Sequence, residues 1–151
     1  MSLYELIESM PMFNEFTEKE LKEFTKLDHM FVEYHRGDTI INEGDEFTAI
    51  YLLLQGSVMI VRKKEGHTIR LAKLKPGELF GEMSFFSKKL RHSDVVANDD
   101  VLVLRMDEDF FEDVKPAIRD KIKNYFIELL VKRLDTMNES IMNISKLMRS
   151  Q

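Results

Sequence analysis

Glu82 and Arg91 are the residues whose types and spacing can do chemistry. They sit in the run Phe80-Gly81-Glu82-Met83-Ser84-Phe85-Phe86, followed by Ser87-Lys88-Lys89-Leu90-Arg91-His92-Ser93-Asp94-Val95. A carboxylate and a guanidinium are thus separated by residues 83–90. Gly81 comes just before the carboxylate, where the missing Cβ lets backbone approach a ligand closely. Residues 82–86 are enough for one short helical turn, whose free N–H groups suit an anion. The fork of Arg91 matches two phosphate oxygens, and Glu82 accepts hydrogen bonds as a sugar hydroxyl requires. A site that takes both a phosphate and a ribose hydroxyl is a nucleotide site without a Walker loop.

These positions must be held by a framework, and the rest of the chain reads as one. Short β-type runs occupy Met30–Tyr34, Thr39–Asn42, Ile50–Leu54, Val58–Arg62, Thr68–Leu74, Val95–Ala97 and Val101–Arg105. Turn signals separate them, among them Arg36-Gly37-Asp38, Glu43-Gly44-Asp45, Gln55-Gly56, Glu65-Gly66 and Pro76-Gly77. Strands at this rhythm predict an antiparallel sandwich or barrel. Ahead of them, Leu3, Leu6, Ile7 and Met10 have helical spacing, and Pro11 ends that segment. Thr17 with Glu20 predicts a capping box, and Leu21, Phe24 and Leu27 mark the buried face of a second helix. Both helices read as cover for a sheet.

The run from Phe80 to Val95 resembles the phosphate-binding cassette of the cyclic nucleotide-binding domain family. In that family Phe-Gly-Glu opens a short helix, and an Arg, two small residues, one further residue and Val follow. Gly37-Asp38, Glu43-Gly44-Asp45, Tyr51-Leu52-Leu53-Leu54 and Gly56 fall in the family's order, so the resemblance covers the strand region too. It implies a mainly β fold, a jelly roll with short N-terminal helices and a long C-terminal helix. It also implies that Glu82 takes the ribose 2′-hydroxyl and Arg91 the cyclic phosphate. The rest of the expected binding set is Phe80, Gly81, Met83, Ser84, His92 and Ser93. His92 departs from the family, which prefers a small residue there. Members that favour cyclic GMP use a Thr or Ser at that place, so cyclic AMP is the expected ligand, with cyclic GMP its competitor.

The last segment is helical, with Pro116 near its start. Ile118, Ile122, Phe126 and Leu129 form one stripe. Ile127, Leu130, Leu134, Met137, Ile141, Ile144 and Met148 form a second, alternating steps of three and four as a heptad seam does. In the activator-protein branch of the family the corresponding helix pairs two subunits and reaches over the ligand. By that resemblance Arg133, Met137 and Asn138 lie nearest the base, and Asn138 can hydrogen-bond its edge. The expected division is a helical cover at 1–28, the jelly roll at 29–112 and a dimerising helix at 113–151.

Composition narrows the function classes. With 151 residues and 44% apolar content the chain can bury a core. A net charge of −5 argues against broad binding to nucleic acid. There are no Cys residues, which excludes disulfides and thiolate chemistry. His29, His35, His67 and His92 show no zinc-ligand spacing, and no metal site is expected. Arg62-Lys63-Lys64 is read as a solvated hairpin tip, and the start of the chain shows no signal peptide. The expectation is a cytoplasmic, non-catalytic cyclic nucleotide sensor, a homodimer that acts on an effector protein without contacting DNA or membrane. A non-binding interaction module of the same fold and a cupin-like metalloenzyme are the alternatives.

Overall fold

The β region is punctuated by glycines, and strands form between them as the alternation of apolar residues requires. A computed structural model describes residues 1–46, 48–82 and 92–149. Among these residues the strands are β1 (Phe31–Tyr34), β2 (Thr39–Ile41), β3 (Ile50–Gln55), β4 (Val58–Lys64), β5 (His67–Leu74), β6 (Leu79–Phe80), β7 (Asp94–Ala97) and β8 (Val101–Met106). They build two four-stranded sheets, ordered β1-β8-β3-β6 and β2-β7-β4-β5. Every pairing is antiparallel. This is the expected jelly roll.

The core lies between the two sheets. Tyr51, Leu53, Phe80, Val101 and Val103 of the first pack with Ile40, Ile41, Val58, Val95 and Ala97 of the second. Inward residues of both sheets interdigitate, as in any two-sheet sandwich. Gly56 supports this closure at the β3–β4 turn, with φ of 84°. A Cβ built there would run into the Asp100 carbonyl oxygen, so the turn admits only glycine without rearrangement.

β3 is buried on both faces, because helices cover the first sheet from outside. Helix α1 (Leu3–Glu8) is capped by Ser2, and a 3-10 turn (Pro11–Phe13) follows it. Helix α2 (Glu18–Thr25) carries the expected capping box. The Glu20 N–H donates to Thr17 Oγ1 at 3.1 Å, and the Thr17 N–H donates to Glu20 Oε1 at 2.9 Å. Phe24 of this helix is the hub of an aromatic cluster. Its ring lies 5.2 Å from that of Phe13, 5.8 Å from Phe16, 6.1 Å from Phe31 and 5.8 Å from Phe110. The contacts with Phe16, Phe31 and Phe110 are edge-on and that with Phe13 is tilted, and they add to the burial of the rings themselves.

Phe110 belongs to helix α3 (Glu108–Asp113), started by Asp107, whose Oδ1 accepts from the Phe110 N–H at 2.8 Å. Neither α3 nor β6 was anticipated from the sequence, and β7 starts one residue earlier than expected, at Asp94. The basic run Arg62-Lys63-Lys64 is exposed on β4 beside the Glu65-Gly66 turn, as read.

The chain divides into two compact units, Met1–Val114 and Lys115–Gln151. The second is helix α4 (Pro116–Arg149), 34 residues long and so about 51 Å in length. Ile118, Ile122 and Phe126 are buried, and Leu129 is half-buried. Beyond them the described helix is exposed on all sides from Val131 onward.

Candidate functional site

β6 is only two residues long, yet it is fixed tightly. Its partner is β3, with Tyr51 opposite Phe80 and Leu52 opposite Leu79. The preceding turn is tied at several points. The Lys75 N–H donates to Glu78 Oε2 at 2.7 Å, the Gly77 N–H to the Leu53 carbonyl at 2.8 Å and the Leu53 N–H to the Glu78 carbonyl at 3.0 Å. Phe80 is then locked by its ring, stacked on Tyr51 with centroids 5.0 Å apart and planes 7° from parallel. Such a flat overlap of two buried rings leaves Phe80 little freedom.

Gly81 follows with φ of 83°, a left-handed conformation that an L side chain resists. It turns the chain out of the core at the residue where the cassette begins. Glu82, half-buried and helical, comes next. Gly81 and Glu82 therefore stand directly on an anchored strand end, which is what a carboxylate needs to meet a ligand in one orientation.

The chain rejoins the framework at β7. His92 is exposed and Ser93 is half-buried. Asp94 pairs with Val61 and Val95 with Ile60, and Val95 is back in the core. Phe80 and Val95 belong to one apolar cluster but to opposite sheets. The described ends of the candidate site, Phe80 and Val95, are thus held in opposite sheets by the same core.

Several expected site residues, Met83, Ser84 and Arg91, lie outside the described residues. Asn138 is exposed on α4, as are Arg133 and Met137, all within the second unit. The four His residues are all exposed. Among the described residues no group of three or more His, Cys, Asp or Glu could hold a metal ion. No helix of the described residues is long and apolar enough to cross a membrane.

Two elements of the site escaped the sequence reading. Tyr51 was visible only as part of a β-type run, although its ring fixes Phe80. The second is a bond from the Glu43 N–H to Asp94 Oδ1 at 2.6 Å, which ties the turn after β2 to the start of β7. The one local signal for it was an Asp, a poor strand former, next to Val95.

Similarity to known proteins follows the same outline. The family profile described as cyclic nucleotide-binding domain matches residues 31–115. The cyclic AMP receptor protein of Thermus thermophilus is 38% identical over 104 residues, covering 67% of this chain and 47% of that protein. The cGMP-dependent protein kinase 2 of Mus musculus is 34% identical over 103 residues, 66% of this chain and 13% of the kinase. The chain therefore spans at most about half the length of these two relatives. Among solved structures, the Thermus thermophilus catabolite activator protein superposes with a TM-score of 0.67 at 28% identity. That match covers 89% of this chain and 63% of the other. With its strands, its Phe80-Gly81-Glu82 corner and a profile match over most of its length, the chain belongs to the cyclic nucleotide-binding domain family.

Proposed function

We propose that this protein is a regulatory module that binds a cyclic purine mononucleotide, cyclic AMP ahead of cyclic GMP, and leaves it chemically unchanged. The observation that carries this reading is the Phe80-Gly81-Glu82 corner, held on a locked strand end within the region matched by the family profile. Relatives named for cyclic AMP and for cyclic GMP both occur, which supports the ligand class. Within it, Glu82 accepts from the ribose hydroxyl and Arg91 grips the cyclic phosphate. Backbone around Gly81, Met83 and Ser84 borders the phosphate, and Phe80 fixes the entry. His92 supplies no short hydroxyl for guanine, which favours adenine. Asn138 offers a hydrogen bond to the base edge.

Output runs through α4. Its residues Ile127, Leu134, Met137, Ile141, Ile144 and Met148 are between 57% and 74% exposed and keep the heptad steps. An apolar seam of that length left in water calls for a cover. The flanks favour a second copy of the same helix. Beside the seam stand Val131, Asn138 and Ser145 on one flank and Arg133, Ser140 and Leu147 on the other. In a parallel pair these flanks meet without like charges opposed, so the sequence can pair with itself. Ligand binding then biases the angle or order of the helix, and an effector protein reads the change.

Titration calorimetry with each nucleotide tests the reading. Binding of both, tighter for cyclic AMP, is expected. Absence of heat with both would reduce the chain to an interaction module of this fold, and tighter cyclic GMP binding would overturn the base preference.

A further inference from the structure

The β2–β7 ladder stops short at the end where the site lies. Thr39 pairs with Val96 and Ile41 with Val95, with an irregular register between them, and Ile41–Val95 is the last rung. Beyond it the two strands would separate, one into the Asn42–Asp45 turn and the other toward residues 83–91. A side chain supplies the missing rung. Asp94 Oδ1 accepts from the Glu43 N–H at 2.6 Å, joining segments 51 residues apart in sequence.

The turn that presents this N–H is itself preorganised. The Asn42 N–H donates to Asp45 Oδ2 at 3.0 Å, and the Asp45 N–H donates to the Asn42 carbonyl at 3.1 Å. A carboxylate acceptor makes the Asp94 bond charge-assisted and stronger than a neutral one. It also accounts for an Asp inside a strand, where that residue type is disfavoured. Residue 94 lies three positions after Arg91, so their Cα atoms are at most about 11 Å apart.

We infer that Asp94 is a positioning residue for the nucleotide site. Its carboxylate closes the β2–β7 ladder and so fixes the start of β7, where the chain leaves the proposed site. The inference rests on the nucleotide-binding reading for its effect on affinity, but the tether itself stands without it. A consequence separates bond from charge. Asp94 places a negative group near an anionic ligand, so an uncharged acceptor in its place keeps the tether and removes the repulsion.

The test compares wild type, Asp94→Ala and Asp94→Asn by NMR hydrogen exchange at the Glu43 amide and by calorimetry with cyclic AMP. Circular dichroism checks that each variant is folded. Asp94→Ala is expected to speed Glu43 exchange about tenfold or more and to weaken cyclic AMP binding roughly three- to tenfold, the scale of one hydrogen bond felt at second hand. Asp94→Asn is expected to restore protection and to bind at least as tightly as wild type. Unchanged exchange in folded Asp94→Ala would remove the tether. Faster exchange with unchanged affinity would remove the positioning role, as would an Asn variant that binds as weakly as Ala despite restored protection. If Asp94→Ala is unfolded, the Asn variant decides alone: slow Glu43 exchange with wild-type or tighter affinity upholds the inference, and loss of either refutes it. Failure of wild type to bind any cyclic nucleotide would sink the function and the positioning role together, while the exchange result would still decide the tether.

Discussion

The sandwich and the far half of α4 use the same residue types to opposite ends. In the sandwich Leu52, Leu53, Val103 and Leu104 are fully buried, and Leu53 and Val103 belong to the core shared by the two sheets. On α4 the seam residues Ile127, Leu134, Met137, Ile141, Ile144 and Met148 keep a regular period and remain in water. Apart from Met1, Ile69 and Leu71, every exposed large apolar residue among those described lies there. A period-2 pattern repeated in two sheets completes itself within the chain, whereas a heptad on one helix is half of a statement.

The comparison predicts its largest contrast in stability. Phe24 is fully buried and touches four other rings, so Phe24→Ala should cost about 3–5 kcal/mol. Ile141→Ala, at a position 58% exposed, should change the unfolding free energy of the isolated chain by less than about 0.5 kcal/mol. Urea unfolding at low protein concentration measures both. A large cost at Ile141 under those conditions would mean that the chain covers its own seam.

Ligand affinity should divide the same way. If Arg91 takes the cyclic phosphate as proposed, Arg91→Ala removes one member of a charge pair, an expected loss of about 2–4 kcal/mol or roughly 30- to 1,000-fold in Kd. Glu82→Ala should weaken binding less, since the ribose contact is a hydrogen bond to a neutral group. Asn138→Ala, on the helix, should cost no more than about 1 kcal/mol. Calorimetry on the three variants gives the order. An Asn138 effect as large as that of Arg91 would move the recognition centre from the sandwich to α4.

What could be read in advance follows from this same division. The capping box at Thr17 and Glu20, the glycine turns and most of the strands are local features, and local chemistry announces them. β6 escaped because Leu79 and Phe80 are too few to show alternation; the strand exists through its pairing with Tyr51 and Leu52. Helix α3 did carry a signal, Asp107 ahead of an acidic first turn, which is a common helix start. The Glu43–Asp94 bond could not be inferred, because nothing in residue 43 reveals which strand its amide will meet. The cassette was legible as a motif because its chemistry is concentrated in a few residues in sequence. The anchoring of its ends is not, since that depends on contacts across both sheets.

Assembly is where the two regions should separate most cleanly. Leu134→Glu combined with Ile141→Glu places charge at two seam positions one heptad apart and should abolish self-association. The sandwich should keep its fold, because both positions are exposed on the isolated chain. Light scattering at tens of micromolar, with circular dichroism on the same samples, reads both properties. A wild-type protein that is monomeric with and without nucleotide would remove the paired seam and leave the single-module sensor standing.

The smallest effect lies at Tyr125, on the half of α4 that carries the buried residues. Burial pushes its phenol above the ordinary value of 10.0, Arg133 opposes that rise and Glu128 adds to it. The folded protein therefore holds this proton more tightly than the unfolded chain does. Below about pH 10 both states are protonated and the group has no pH-dependent effect. As the pH rises past 10 the unfolded chain ionises first, so stability falls through that window. Tyr125→Phe lacks the ionisable group and should flatten this alkaline decline by a small amount, leaving stability near pH 7 almost unchanged. Urea unfolding of both proteins at pH 8.5 and pH 10.5 makes the comparison. Equal alkaline losses in wild type and Tyr125→Phe would mean that Tyr125 is as hydrated in the folded protein as in the unfolded chain.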